Sequence, residues 1–313
     1  MATQCARLLF RDAVAQSRNA TARQARRLPW TADTDSASSV RRHIVFIHGA
    51  FGSGSDFAAW ADFFRRAGFA CHTPSLPGHA PPDAAVLRPL RIVDYVASAQ
   101  ARLQGLPDAP VLVGHSMGGL IAQHLAATVP CRALVCVASA PTSVLVPQRV
   151  AWPYLLPLLP DILRGRPFRA PPAAMRALAL HDLPPEEADA LAERGYESGK
   201  AYRELVFGLG HVRTHAVSCP VLCASGTLDR IIPQRLSVRL ARAYGAEHIR
   251  FARGHWLIAP SALGDVAVAV LRWLESKLDE GCASSSTKAR CQSAAAAYAA
   301  AFHSNQNGFQ NPM

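Results

Sequence analysis

The chain has 313 residues and no apolar run near the roughly 20 that a membrane-spanning helix needs. Its eight cysteines include no Cys-x-x-Cys pair, so the usual spacing of a zinc or redox site is missing. Cys219 and Cys223 flank Pro220-Val221-Leu222, and Cys131 and Cys136 bracket another apolar run. In such settings cysteine behaves as a small core residue, and the expectation is reduced thiols in a cytoplasmic protein with no metal and no cofactor. Acids are scarce, 22 against 33 Lys and Arg, giving a formal charge of +11. Most of that excess sits at the ends. Residues 1–30 hold six Arg and one Asp, and residues 281–313 hold Lys288 and Arg290 with no acid, which leaves +4 for the body between. Lysine is rare beside arginine while alanine and proline abound, as GC-rich coding produces. The basic balance therefore does not mark a nucleic-acid surface, and no nucleic-acid partner is expected.

Half of the residues are hydrophobic, enough for a sizeable core, and the length fits one large domain or two small ones. Residues 1–40 are Arg- and Ala-rich and read as a disordered or targeting extension. Their one apolar patch, Ala6 to Phe10, is too short for a secretory signal, although a mitochondrial type of transit segment would fit in a eukaryotic source. From His43 the pattern changes. His43 to Ile47 is a continuous apolar run, as expected of a strand buried on both faces. After the loop His48-Gly49-Ala50-Phe51-Gly52-Ser53-Gly54, the spacing of Phe57, Trp60, Phe63, Phe64 and Ala67 predicts a helix that Gly68 stops. Phe69 to Thr73 reads as a strand, Ile92 to Leu103 as an amphipathic helix, and Ala133 to Ala138 as a further strand.

Strands alternating with helices predict an α/β fold whose mostly parallel sheet is covered on both faces. The alternation stops at Ala140. Residues 141–217 hold Pro and Arg clusters and short helical stretches with no clear strand, and are expected to form a helical cap or lid between the two parts of the core, 41–140 and 218–280. Alternation resumes with a strand from Val221 to Ala224, a helix from Arg235 to Tyr244, a strand from His248 to Phe251 and a last helix from Val266 to Leu278. Residues 281–313 are Ala-, Ser-, Gln- and Asn-rich and read as a disordered tail.

The chain is organised around Val111-Leu112-Val113-Gly114-His115-Ser116-Met117-Gly118-Gly119-Leu120. A β-branched run breaks at a glycine, a serine follows, and a helix-like run continues from Leu120 to Val129. A serine on so tight a strand-to-helix turn is held in a strained conformation with its hydroxyl exposed, and side chains two residues either side would collide, which explains Gly114 and Gly118. The helix start aims its free amides and positive dipole end at the same point. An activated serine also needs a base and a group that orients the base. Asp229 follows the strand at Val221, in Ser225-Gly226-Thr227-Leu228-Asp229, and His255 follows the last strand, in Arg253-Gly254-His255-Trp256. All three lie beyond carboxyl ends of predicted parallel strands, where such sheets form a crevice.

The order Ser, Asp, His, together with the His48-Gly49 loop, Leu76-Pro77-Gly78-His79, Gly114 to Gly119, Gly226 to Pro233 and Gly254-His255-Trp256, resembles the α/β-hydrolase superfamily over about residues 43–278, with a branch like the serine esterases and lipases. The resemblance implies Ser116 as nucleophile, His255 as general base and Asp229 as the orienting carboxylate. It implies an oxyanion hole made by the backbone N–H groups of Ala50 and Met117, with Phe51 a second candidate for the loop donor. Many members carry two strands before the histidine-glycine strand; no such pattern precedes His43, so a shorter sheet is expected. His48 is expected to shape the oxyanion loop and His115 to pack. Phe51, His79, Trp152, Tyr154, Leu155 and Trp256 are the candidate substrate contacts. The implied activity is hydrolysis of a carboxylic ester through an acyl-enzyme, by a monomer or homodimer, and the apolar residues Trp152, Tyr154, Leu155, Leu156, Leu158, Leu159 and Ile162 of the expected lid favour a small-molecule ester with a medium-sized apolar acyl or alcohol part. Alternatives on the same triad are carbon–carbon bond hydrolysis, thioesterase, acyltransferase or cofactor-free haloperoxidase chemistry, or a hydrolase-like ligand receptor.

Overall fold

Eight strands are present in the computed structural model, which describes residues 42–278: β1 (His43–Ile47), β2 (Ala70–His72), β3 (Val111–His115), β4 (Ala133–Val137), β5 (Phe168–Arg169), β6 (Tyr196–Glu197), β7 (Val221–Gly226) and β8 (Glu247–Phe251). The extension at 1–40 and the tail at 281–313 lie outside the described residues. Six strands form one sheet in the order β2-β1-β3-β4-β7-β8, every neighbour parallel. Parallel neighbours require crossovers, and helices supply them. The longer of these are α1 (Ala58–Arg66), α2 (Ile92–Leu103), α3 (Met117–Ala126), then α4 (Leu159–Arg164), α5 (Pro185–Ala192) and α6 (Gly199–Val206) in the segment between β4 and β7, and α7 (Gln234–Tyr244); α8 (Val268–Leu278) follows β8 and packs back on the sheet. No helix among the described residues is long and apolar enough to cross a membrane.

Side-chain alternation divides the core into two layers. Ile44, Phe46, Val113, Val135 and Leu222 face a layer built with α1 and α8, where Trp60, Phe64, Leu271 and Leu274 are buried. Val45, Ile47, Leu112, Leu134 and Cys223 face the other, built with α2, α3 and α7 through Tyr95, Leu120, Leu125 and Leu240. Both faces being covered explains why β1, β3 and β4 read as unbroken apolar runs. Among the described residues the sheet begins at β1; the expectation of a shorter sheet turns on residues before His43, which lie outside the described residues.

The strand order also places the crevice. β2 lies on one side of β1 and β3 on the other; the chain leaves β1 for α1 on one face of the sheet and leaves β3 for α3 on the other, so the carboxyl ends of β1 and β3 flank a crevice. The His48-Gly49-Ala50 loop leaves one end and Ser116 leaves the other.

Three expectations change. The segment 141–217 does contain strands: β5 and β6 pair antiparallel, Phe168 opposite Glu197 and Arg169 opposite Tyr196. Two residues per strand are too few to show an alternating pattern. The elbow helix starts at Met117 and ends at Ala126, because the turn at Ser116 feeds the helix without a linker. The last helix is entered through a wider π-type turn, Leu263–Ala267, ahead of Val268.

Candidate active site

Ser116 has φ 54° and ψ −120°, a left-handed conformation that non-glycine residues rarely adopt and that persists only where the surroundings impose it. Its N–H donates to the Val137 carbonyl at 3.1 Å, and its carbonyl accepts from Gly119 at 3.0 Å and Ala140 at 2.9 Å. The glycines at either side are required by contact. A Cβ at Gly114 would lie 2.3 Å from the Gly118 carbonyl oxygen, and one at Gly118 would lie 2.1 Å from that of Ile47. Because both obstacles are backbone, Gly118→Ala should destabilise the protein by about 3 kcal/mol or more, measured by denaturant unfolding. A loss under about 1 kcal/mol would show that the elbow yields.

The loop after β1 is held by His48, which is fully buried. Its Nδ1–H donates to the Gly49 carbonyl at 2.8 Å and its Nε2 accepts from the Leu76 N–H at 2.9 Å. Burial, then the neighbouring His79, pushes its pKa down to about 3, so the ring is neutral, consistent with one nitrogen donating and the other accepting. The backbone N–H groups of Ala50 and Met117 have no acceptor among the described residues. Phe51, the other candidate donor, is at φ 63° and gives its N–H to Glu197 Oε2 at 3.2 Å.

Asp229 and His255 meet across two loops. Asp229 Oδ2 accepts from His255 Nδ1 at 2.8 Å, with both side chains almost fully buried. Its other oxygen accepts from the N–H groups of Ile231 at 2.7 Å and Ile232 at 2.9 Å, so the carboxylate has an acceptor role on each side. His115, one residue before Ser116, donates from Nε2 to the His255 carbonyl at 3.1 Å, and the two rings lie 4.9 Å apart. Burial holds the His115 pKa well below the ordinary range. The residue before the serine thus packs against the histidine loop as a neutral ring.

The other sequence candidates separate. Trp256 is buried, edge-on to His115 at 5.1 Å and beneath the Arg194 guanidinium at 4.5 Å. Phe51 forms a ring cluster with Phe168 at 5.3 Å and Tyr202 at 5.6 Å. Trp152 is 44% exposed and faces solvent, while Tyr154 and Leu155 are half-buried. His79, expected as a substrate contact, is turned inward: Nδ1 lies 3.1 Å from the Pro77 carbonyl and Nε2 3.1 Å from Glu197, leaving no ring nitrogen for a ligand.

The segment 141–217 touches each of the three loops that carry the candidate groups. Gln148 donates to the Asp229 carbonyl at 2.6 Å. Asp182 accepts from the Gly254 N–H at 2.6 Å. Glu197, 0% exposed, accepts from Phe51 N–H as above. Glu197 also accepts from the Tyr95 hydroxyl at 2.7 Å and the Ser198 N–H at 2.7 Å. Burial opposes its charge, but the His79 charge and hydrogen bond, with those of Tyr95 and Ser198, outweigh it and hold the carboxyl below its usual range. For His79 burial again opposes the charge, yet Glu197 and the backbone carbonyls raise its pKa. The two directions agree on a buried ion pair. Arg194 adds a further tie, its Nη1 donating to Asp56 at 2.7 Å. None of Gln148, Asp182, Arg194 or Glu197 was singled out from the sequence, where each is an isolated polar residue in a segment without periodicity.

A parallel α/β sheet with its switch point between β1 and β3 and a strained serine at the end of β3 define a doubly wound scaffold. The chain belongs to the Alpha/beta hydrolase family, which it matches over residues 44–269. Among curated proteins it is similar to a pyrethroid hydrolase of Sphingobium wenxiniae, 35% identical over 88 residues, 26% of this chain and 30% of the relative. It is also similar to a pimeloyl-[acyl-carrier protein] methyl ester esterase of Aromatoleum aromaticum, 35% identical over 118 residues, 36% of this chain and 44% of the relative. Less than half the length of either relative is spanned. Among solved structures, a pyrethroid hydrolase from Sphingobium faniae superposes with a TM-score of 0.61 at 20% identity, covering 77% of this chain and 100% of that one. A monoacylglycerol lipase from Paleococcus ferrophilus does so with 0.58 at 20% identity, covering 75% and 94%. At that identity the structures establish the fold.

Proposed function

We propose that the protein is a serine hydrolase that cleaves a carboxylic ester of apolar character, with Ser116, His255 and Asp229 as its triad. The observation that carries this is the buried Asp229–His255 pair, held against the strained elbow of Ser116 through the His115–His255 hydrogen bond. His255 takes the Ser116 proton as the hydroxyl attacks the ester carbonyl, and Asp229 keeps the imidazole proton on Nδ1 and stabilises the imidazolium that forms. The tetrahedral oxyanion is received by the Ala50 and Met117 N–H groups, each such donor being worth about 100- to 1,000-fold in rate. His255 then gives its proton to the departing alcohol, leaving an acyl-serine, and water deprotonated by the same ring releases the acid. The residues 141–217 act as a cap. The Phe51, Phe168 and Tyr202 rings beside the oxyanion loop favour an apolar group on the substrate, and the similar proteins bear names of hydrolase, esterase and lipase.

A fluorophosphonate probe should label the protein at Ser116, and p-nitrophenyl esters from acetate to decanoate should be turned over steadily, with kcat/KM peaking at an intermediate chain length. One slow turnover followed by arrest would instead favour a ligand receptor built on the same fold, and absence of labelling would remove the proposal.

A further inference from the structure

We infer that Glu197 is a positioning residue for the oxyanion hole: from its place on β6 it clamps the Phe51 N–H and so fixes the loop that presents the Ala50 amide to Ser116. The inference rests on the serine-hydrolase reading above and deepens it. Two consecutive peptide groups of this loop are pinned, each by a buried side chain. The Gly49 carbonyl accepts from His48 Nδ1 at 2.8 Å and from the Gly52 N–H at 3.3 Å. In a trans peptide the N–H points opposite the carbonyl, so those bonds turn the Ala50 N–H the other way. The next peptide ends in the Phe51 N–H, held by Glu197 Oε2 at 3.2 Å.

Phe51 sits at φ 63°, a conformation a bulky residue keeps only under outside constraint. Rotation of the Ala50–Phe51 peptide would relieve it, and that rotation moves the donor beside it. Glu197 is well placed to resist. Its carboxylate accepts four hydrogen bonds, from Phe51, His79, Tyr95 and Ser198, and is therefore fixed in all directions. His79, the partner on the same oxygen, packs edge-on to His48 at 4.9 Å. The two clamps of the loop are thus in contact through one ring. A glutamine at 197 has one acceptor oxygen, so its NH2 would face either the Phe51 N–H or the Ser198 N–H, donor against donor.

The test compares Glu197→Gln with Glu204→Gln. Glu204 is a buried carboxylate of the same segment that accepts from Arg91 Nε and, at 3.0 Å, from the Ile92 N–H, and touches no site loop. In Glu197→Gln, kcat on a p-nitrophenyl ester should fall between about 10- and 100-fold, part of one oxyanion donor's contribution. KM should change less than about threefold, and affinity for a trifluoromethyl ketone should fall by the same factor as kcat, because only the oxyanion form has lost its partner. Glu204→Gln should lower the unfolding midpoint and leave kcat within about twofold. Equal kcat losses in both variants, or wild-type kcat in Glu197→Gln, would overturn the inference. Should Glu197→Gln not fold, amide hydrogen exchange in the wild-type protein decides. The Phe51 N–H should be protected like the amides of β1, and exchange at the rate of an exposed loop would overturn the clamp. A wild-type protein that neither hydrolyses esters nor takes the fluorophosphonate label would sink the serine-hydrolase reading, while the Phe51 exchange rate would still judge the clamp by itself.

Discussion

Replacing Ser116 with Ala should lower ester turnover by about 10⁴- to 10⁶-fold and abolish fluorophosphonate labelling, with the protein still folded. The size of the effect follows from the division of labour. The hydroxyl oxygen is the only heavy atom removed, and in the proposed mechanism its loss leaves His255 no serine proton to accept and no covalent intermediate to form. Fold stability should be nearly unchanged, because the elbow is fixed by main-chain bonds from Ser116 to Val137, Gly119 and Ala140, which Ala can make equally. The measurement is steady-state kinetics beside a thermal unfolding curve. Residual turnover within about tenfold of wild type at an unchanged midpoint would mean that another residue is the nucleophile.

Asp229→Asn should lower kcat by about 10⁴-fold with little change in KM. Asp229 has two acceptor duties, to the N–H groups of Ile231 and Ile232 on one oxygen and to His255 Nδ1 on the other. Asparagine has one acceptor oxygen. Two backbone donors are geometrically fixed and will claim it, which turns the amide NH2 toward Nδ1 and makes that nitrogen an acceptor. The imidazole proton is then on Nε2, the nitrogen that the proposed mechanism needs free to take the serine proton. The loss should appear in kcat, since the acyl and alcohol contacts are untouched, and the fluorophosphonate should react correspondingly slowly. An Asp229→Asn variant with wild-type kcat would show that His255 is oriented by something else.

The sheet and the candidate triad were legible in the sequence because their signals are local. β1, β3 and β4 are unbroken apolar runs that a doubly covered sheet demands, and the elbow declares itself through Gly114 and Gly118, whose missing side chains would strike backbone at 2.3 and 2.1 Å. Asp229 and His255 follow directly on strand ends. What could not be read are contacts made by closure of the chain on itself. Phe51 and Glu197 are 146 positions apart, Gly254 and Asp182 are 72 apart, and Gln148 and Asp229 are 81 apart. No spacing rule connects such pairs. His79 was misjudged for the same reason: a histidine after Leu76-Pro77-Gly78 looks available until Glu197, from β6, occupies its Nε2. β5 and β6 were missed because two-residue strands have no period to detect.

The bonds from Gln148, Asp182 and Glu197 to the three site loops bear on how this protein could be re-engineered. The segment leaves from β4 and returns to β7, strands that are hydrogen-bonded neighbours, so in topological terms it is an insert that the sheet would tolerate losing. Chemically it is not interchangeable. A grafted replacement of equal length and better pocket shape would strand a backbone donor at Phe51, another at Gly254 and a buried imidazole at His79, and the recipient would keep the elbow serine with its supporting scaffold unbraced.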